Sequence, residues 1–444
     1  MNSDLRSYLY QISKKGDLAV VKKRVSTKYE IAAITAKLDG SRAVLFEKVK
    51  ESRFRVVSNL VGTKERFAQA VRCTEQKIHD KVIWAIKHAS RPRIVTKGKF
   101  MENQSNDLFI LPIITHFEKE PGPFITSSII YTRNQEVGTQ NSSFHRLLRL
   151  DEKHFSLRMV EGRHLHSSYM YAKEHGEDLR VAITVGVHPA ISIAGAYQAE
   201  WGQDELEIAN ELLDRNLILA MCPYSGMSVP SDAEIVMEGC ILKDKNHKEW
   251  MVEMLRTYDF KRMQPVFELD KIYYRNEPIF HDILSGYGEH RLLMGMPAEA
   301  KLNRNLKQVL PHTRRVVLTE GGCKWLHAVV QISKKRASDP KRAIRTAFAA
   351  HRSLKKVIVV DEDINPSDPI AVEYAMATRF QADKDLVIIH KVRGSSLDPS
   401  SDQKNLLTTK MGVDATKPFS KPAEGFEIAK IPRSDKLLLK NYLK

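Results

Sequence analysis

Cysteine is scarce in this chain and follows no pattern. Four occur in 444 residues: Cys73, Cys222, Cys240 and Cys323. No two form a CxxC pair and their spacings fit no zinc motif. A disulfide scaffold and a zinc finger are therefore excluded, and reduced, mostly buried thiols are expected. Long apolar runs are also missing. The longest, residues 181–199, is broken by His188-Pro189 with a glycine on each side. It reads as a buried strand, a turn and a second buried segment rather than a membrane span. Residues 1–15 are polar and lack the apolar stretch of a signal peptide. The expectation is a cytoplasmic protein with no membrane partner. Internal repeats, low-complexity tracts and the RNP, KH and helix-turn-helix signatures are absent as well.

Positive charge is what the chain has in excess. Lys and Arg number 70 against 54 Asp and Glu, a formal +16. These cations are spread along the whole sequence, as on a solvated surface, and a few of them are expected to line a site for an anionic ligand. A non-enzymatic nucleic-acid-binding protein is the alternative that charge alone suggests. It requires a localised basic face, which the even spread does not offer. Length and a hydrophobic content of 42% give room for two or three domains with ample core.

Periodicity divides the chain into three. Residues 1–100 read as an α/β unit: a helix with Ile31, Ala32, Ile34 and Leu38 on one face, strands at 43–46 and 55–60, and one long helix over 64–88 carrying Phe67, Val71, Ile78, Val82 and Ile86. Residues 101–305 are strand-rich, with strands at 108–114, 127–132, 144–150, 156–160, 217–221, 233–242 and 266–274, a hairpin turn at 151–154, and inserted helices at 164–175 and 204–213. Strands with inserted helices fit a barrel-like sheet. Residues 306–444 alternate strands (316–318, 356–360, 386–390) with helices (340–351, 368–379), a βαβ pattern that predicts a parallel sheet. The amphipathic tail 436–444 is expected to pack on this domain or reach a second subunit.

A few polar residues carry the chemistry. Asn141, His164 and Glu205 offer one amide oxygen, one imidazole nitrogen and one carboxylate, a mixed set that suits a hard divalent cation such as Mn²⁺. Each alone also fits a bland role: an Asn in a turn, a core His, a Glu favoured by a helix N-terminus. Arg146, on a strand among Phe144, Leu147 and Leu148, is either a surface residue or a fork for a carboxylate. Glu249 and Glu253 are either a solvated turn or a pair that delivers a proton. Lys410 and Arg163 are surface cations or phosphate and flavin contacts. Gly286-Tyr287-Gly288-Glu289-His290 is a plain turn or a pocket wall.

Beyond single residues, whole segments match a pattern. Asn141-Ser142-Ser143-Phe144-His145-Arg146, Arg163-His164, Val185-Gly186-Val187-His188-Pro189, Asp204-Glu205-Leu206, Ala233-Glu234-Ile235-Val236-Met237-Glu238-Gly239, Val359-Val360-Asp361-Glu362-Asp363-Ile364, Gly394-Ser395-Ser396-Leu397-Asp398-Pro399 and Lys410-Met411-Gly412-Val413-Asp414-Ala415-Thr416 follow in the order and spacing of the UbiD decarboxylases. The chain resembles that family over nearly its whole length. The resemblance implies an N-terminal α/β domain (1–100), a split β-barrel of flavin-reductase type with inserted helices that binds the cofactor (101–305), and a C-terminal α/β domain (306–444) that carries oligomerisation to a dimer or hexamer. It implies prenylated FMN, supplied by a flavin prenyltransferase, with Mn²⁺ or another divalent cation on its phosphate and K⁺ beside it. Asn141, His164 and Glu205 become the metal ligands. Asn141, Ser143, Arg163, His164, Pro189 and Lys410 become cofactor contacts, and Arg146, Glu249 and Glu253 become catalytic.

The implied reaction is cycloaddition of the flavin to an α,β-unsaturated acid, loss of CO₂ and protonation. Likeness to the short archaeal members implies a phosphorylated acid, trans-anhydromevalonate 5-phosphate, converted to isopentenyl phosphate. The alternative within the family is an aromatic quinone precursor such as a polyprenyl-4-hydroxybenzoate. One stretch departs from the pattern. The family's glycine- and proline-containing acid loop is here Glu249-Trp250-Met251-Val252-Glu253-Met254, with the acids one residue closer. Were it a helix, both carboxylates would share a face.

Overall fold

A computed structural model of the chain describes residues 3–429 except Gln198, and residues 431, 432, 437, 438, 440 and 442. Most of the 436–444 tail lies outside the described residues. The chain forms two compact units. The first comprises residues 1–301, 320–325 and 396–399, and the second 302–319, 326–395 and 400–444.

The first unit begins with a small sheet in the order Leu18–Val21, Ala43–Phe46, Arg55–Ser58, Ile279–Asp282. Its last strand returns from far along the chain and pairs in parallel with Arg55–Ser58. The helix expected from Ile31, Ala32 and Ile34 is present as Glu30–Lys37. The single helix expected over 64–88 is broken into Lys64–Ala70, a short 3₁₀ turn Glu75–Lys77, and Ile78–Lys87. The break has a local cause. Arg72 takes a left-handed conformation with φ 57°, and the Cys73 N–H turns back to the Ala68 carbonyl at 3.0 Å, which closes the first helix. Phe67, Val71, Ile78 and Val82 still reach one core.

Nine strands make the central sheet, which curls into a half-barrel. The order is Phe124–Ile125, Leu147–Arg149, His154–Leu157, Arg262–Tyr274, Ile235–Glu249, Leu179–Val185, Ile129–Arg133, Gln140–Phe144, with Asn103–Ser105 pairing on Arg262–Tyr274. Its strands alternate between two cores. Ile129, Tyr131, Ala182 and Val236 join the core under the inserted helices, while Ile130, Val181, Ile183, Ile235 and Met237 join the one on the other face. That period of two follows from side chains pointing to opposite faces of a strand. Burial on both faces explains why these strands are apolar almost throughout.

Two strand expectations fail. Residues 108–114 form no strand. Asp107 accepts from the Phe109 N–H at 2.7 Å and caps a 3₁₀ turn, Leu108–Ile110, and Leu108, Leu111, Ile113 and Ile114 bury without joining a ladder, while Phe109 stays exposed. Residues 144–150 are two strands, because His145 and Arg146 leave the ladder. The His145 N–H donates to the Ser128 carbonyl and the Arg146 carbonyl accepts from the Arg158 N–H.

Gly239 sits at a bulge between Ile235–Glu249 and Arg262–Tyr274. A Cβ there would overlap the Glu268 carbonyl and lie 2.7 Å from the Phe267 ring. Gly239→Ala is therefore expected to destabilise the fold by about 1–3 kcal/mol, the range for overpacking a tight site. Chemical denaturation of the variant against the parent chain measures it.

The second unit holds a five-stranded sheet, Thr313–Leu318, His327–Ile332, Lys356–Asp361, Leu407–Ala415, Leu386–Arg393. The three middle strands are parallel, and an antiparallel strand lies on each edge. Helices Asp339–Ala350 and Pro369–Arg379 make the crossovers. At Gly412 the Ile344 side chain packs directly on the sheet, where a Cβ would collide with it.

Candidate active site

Three elements of the first unit bring Asn141, His164 and Glu205 together. Asn141 is held on the Gln140–Phe144 strand, opposite Thr132. His164 is the first residue of helix His164–Glu174, and Glu205 is the first residue of helix Glu205–Leu212, which Asp204 caps by accepting from the Leu206 N–H. Two helix N-termini thus point their partial positive charge toward one strand residue. The Asn141 amide nitrogen lies 3.2 Å from His164 Nδ1 and 3.0 Å from each Glu205 carboxylate oxygen, and the Ser142 N–H donates to Glu205 at 2.8 Å. Glu205 is buried, and among the described residues no Lys or Arg pairs with it. Burial raises its pKa to about 8, and that of Asp204 to about 7. Burial also lowers the pKa of His164, with Arg163 adding to the effect, so the ring is a neutral donor.

Proton counting shows what this cluster suits. His145 Nδ1 lies 2.8 Å from the Arg158 carbonyl, which can only accept, so that nitrogen carries hydrogen. Burial lowers the His145 pKa to about 4, so the ring is neutral and its Nε2 must accept. The Ser143 hydroxyl, 2.9 Å away, therefore donates to it. Ser143 Oγ is then left to accept from Asn141, 3.3 Å away. That requires the amide NH₂ to face Ser143 and its oxygen to face His164 and Glu205. An amide oxygen, a neutral imidazole nitrogen and the Glu205 carboxyl then converge; burial holds Glu205 protonated without a cation, and a bound cation takes the place of that proton. The trio fits a divalent metal ion. Among the described residues no group of three or more His, Cys, Asp or Glu gathers for that purpose; here an amide is the third ligand.

The other half of the site is a set of acids around one guanidinium. Arg146 forks onto Glu249, with Nε to Oε2 at 3.1 Å and Nη2 to Oε1 at 2.8 Å. Its Nη1 pairs with Glu253, and Nη2 also reaches Asp259 at 3.3 Å. Burial opposes the charge on Arg146, but Glu253 and Glu249 hold its pKa above the ordinary value. Exposure separates the acids: the Glu249 side chain is 1% accessible, Asp259 6% and Glu253 22%. The acid segment is no helix. Glu249 ends its strand and Glu253 opens a turn, with the Arg256 N–H donating to the Glu253 carbonyl at 2.8 Å. Trp250 anchors the segment by donating from Nε1 to the Lys119 carbonyl at 2.7 Å. The chain Asn141–Ser143–His145–Arg158 runs from the trio toward the other half, where the Arg158 N–H donates to the Arg146 carbonyl at 3.1 Å.

The remaining sequence candidates fall as follows. Pro189 is buried at the start of helix Pro189–Ala196, which packs on the Asn141 strand and on the Glu205 helix. Arg163 precedes His164 as the N-cap residue without a side-chain cap bond. Lys410 lies in the second unit on strand Leu407–Ala415, where its ammonium donates to the Arg352 carbonyl at 2.6 Å and burial lowers its pKa to about 8. Glu289 is tied to the His281 ring at 3.1 Å, and His290 Nδ1 accepts from the Gly286 N–H at 3.1 Å. Sequence reasoning missed Asp259 as the third acid on Arg146, and it missed the Ser143–His145 relay. The density of charge between Glu249 and Arg262 was the available signal for Asp259.

Family models match along the chain: the 3-octaprenyl-4-hydroxybenzoate carboxy-lyase N-terminal domain at residues 9–86, its Rift-related domain at 88–288 and its C-terminal domain at 291–415. The chain belongs to the UbiD family. One UbiD relative, the anhydromevalonate phosphate decarboxylase of Methanothermobacter thermautotrophicus, is 38% identical over 432 residues, covering 97% of this chain and all of the relative. Among solved UbiD structures, HmfF of Pelotomaculum thermopropionicum in complex with FMN superposes with a TM-score of 0.96 at 38% identity, over 99% of this chain and 100% of that one. An evolved dimeric form of HmfF in complex with prenylated FMN gives 0.92 at 35% identity, over the full length of both. No helix among the described residues is long and apolar enough to cross a membrane.

Proposed function

We propose that this UbiD protein decarboxylates an α,β-unsaturated acid, trans-anhydromevalonate 5-phosphate, to isopentenyl phosphate and CO₂. The observation that carries the proposal is the convergence of a cation-ready trio, tied through Ser143, His145 and the Arg158 backbone to the carbonyl of the acid-bound Arg146. Near full-length likeness to the archaeal anhydromevalonate phosphate decarboxylase supports the substrate. The FMN and prenylated-FMN complexes of HmfF support the cofactor.

Prenylated FMN, when bound, supplies the cycloaddition partner for the substrate double bond. Asn141, His164 and Glu205 hold the divalent cation, manganese in our assignment, that anchors the flavin phosphate, with K⁺ as a second counter-ion. Ser143, Arg163 and Pro189 are the further cofactor contacts we assign. Arg146 is fixed by Glu249 and orients Glu253. Glu253 delivers a proton to the carbon that carried the carboxylate, and solvent restores the proton through its exposed side. The site is charged throughout, which favours a small anionic acid over a long apolar quinone precursor. We assign the protein to the cytoplasm as a homo-oligomer assembled through residues 306–444.

The test uses holoenzyme made by co-expression with a flavin prenyltransferase. CO₂ release is expected from trans-anhydromevalonate 5-phosphate and not from polyprenyl-4-hydroxybenzoate. Turnover of the aromatic acid alone would replace this assignment with the quinone-precursor one.

A further inference from the structure

We propose that Arg256 and Arg291 form the subsite that holds the phosphate monoester of the substrate, a placement that rests on the function proposed above. Both flank the turn that carries Glu253. The Arg256 N–H closes that turn onto the Glu253 carbonyl at 2.8 Å, and Arg256 itself adopts φ 60°, a conformation unfavourable for a long side chain. Its neighbour Gly286 leaves it space. A Cβ on Gly286 would overlap the Arg256 side chain and lie 3.0 Å from the Glu253 carbonyl. The Arg256 guanidinium rests 4.6 Å from the centre of the Tyr287 ring, which orients the group by its face and leaves its N–H edges available.

Arg291 comes from the helix beginning at Gly288. Its backbone N–H donates to the Tyr287 carbonyl at 3.0 Å, and its Nε reaches the Met254 carbonyl only weakly, at 3.5 Å. His290, the residue before Arg291, is half-buried and its Nδ1 accepts from the Gly286 N–H at 3.1 Å, so the start of this helix is tied to the glycine that packs on Arg256.

Charge balance distinguishes these two from their neighbours. Arg146 is matched by Glu249, Glu253 and Asp259, and Arg262 by Asp259. Among the described residues neither Arg256 nor Arg291 pairs with a carboxylate. Two unmatched guanidiniums suit a dianionic monoester, which accepts charge-assisted bonds from both. The substrate would then be gripped at both ends: its carboxylate end beside Arg146 and Glu253, its phosphate on the far side of the same turn. A polar subsite of this kind also rejects acids whose tails cannot fill it, because its cations would be left unpaired.

The test uses holoenzyme of the parent chain, Arg256→Met, Arg291→Met and the double variant, each checked for flavin content. Calorimetric titration with isopentenyl phosphate and with isopentenol reads the phosphate contribution directly. Steady-state kinetics on the phosphorylated acid and its unphosphorylated form read its use in turnover. Each single substitution is expected to weaken isopentenyl phosphate binding roughly tenfold, and the double about a hundredfold, as for the loss of charge-assisted bonds. The specificity ratio, kcat/KM for the phosphorylated over the unphosphorylated acid, should fall in parallel. Arg256→Lys and Arg291→Lys should recover part of the binding. A double variant with parental binding and parental ratio would overturn the subsite, as would a parent chain that binds isopentenyl phosphate no better than isopentenol. A parent chain that binds isopentenyl phosphate, loses that binding in the variants and yet releases no CO₂ from the phosphorylated acid would overturn the proposed function and leave the subsite standing.

Discussion

Glu253→Gln is expected to lower kcat by roughly 10²–10⁴-fold, or about 2.7–5.5 kcal/mol of barrier, while leaving the flavin spectrum and flavin content unchanged. The argument begins with Arg146, whose one buried guanidinium meets three acids. Glu249 occupies the fork in bidentate fashion and is shut away from solvent, so it is an anchor. Asp259 is as closed and is shared with Arg262. Glu253 alone holds Arg146 through a single nitrogen while keeping an accessible side chain. It can lose that pairing when protonated, give the proton up, and regain it from water. The glutamine keeps the shape and an acceptor for Arg146 but has no proton to transfer. A structural role predicts something different: Glu253→Gln would be nearly silent, and Glu253→Asp, which shortens the reach to Arg146, would be the damaging change. The pair of variants separates the two, since Glu253→Asp keeps a proton to give and should retain more turnover than Glu253→Gln if Glu253 is the donor. Parental turnover by Glu253→Gln would remove it from that role.

Much of the scaffold was legible because burial imposes periods that a sequence displays. Residues 129–132, 181–185 and 235–237 alternate between two cores; the strand expected at 127–132 is Ile129–Arg133, whereas the one expected at 233–242 extends as Ile235–Glu249. The helices opening at His164 and Glu205 were marked by a polar residue leading into apolar spacing. Errors arose where one residue's backbone or a distant partner decides. The turn at Arg72 needs only a left-handed residue, which no side-chain period announces. Residues 108–114 are as apolar as a strand, but the Asp107 cap makes 108–110 a turn and only Ile114 bridges to Phe124. The break at His145 and Arg146 was invisible for the same reason, although it turns Arg146 toward its acids. Strand His327–Ile332 was not anticipated, since six residues carry too short a pattern to separate from a loop. For the site, residue types and family-like segments pointed to Asn141, His164 and Glu205. Their meeting across separations of 23 and 64 residues is a property of the folded chain. For Asp259 the charge density between Glu249 and Arg262 was a signal, but only the fold ties it to Arg146.

His164→Ala should abolish stable metal binding and with it most flavin retention, leaving the fold in place. The imidazole is the sole nitrogen in a set whose other members are an amide and a carboxylate. Removing one of three protein ligands leaves too few to outcompete water for a divalent ion. The structural cost is small. His164 is half-buried at a helix N-terminus, its ring touches Trp201 edge-on at 5.1 Å, and the Asn141 amide lies 3.2 Å from its Nδ1. Metal content by elemental analysis should fall to background, and the ratio of flavin to protein by absorbance should fall with it. Far-UV circular dichroism should stay at the parental signal. The effect reaches catalysis only through the flavin, because His164 lies on the trio's side of the Ser143–His145 relay and makes no contact with Arg146. The two variants should therefore fail in opposite ways: Glu253→Gln keeps its flavin and does not turn over, whereas His164→Ala loses turnover because it loses its flavin. If His164→Ala retained parental manganese and flavin, Asn141 and Glu205 could not be read as parts of a metal site completed by that ring. Glu205, protonated by its burial, would then be a structural hydrogen-bonding group.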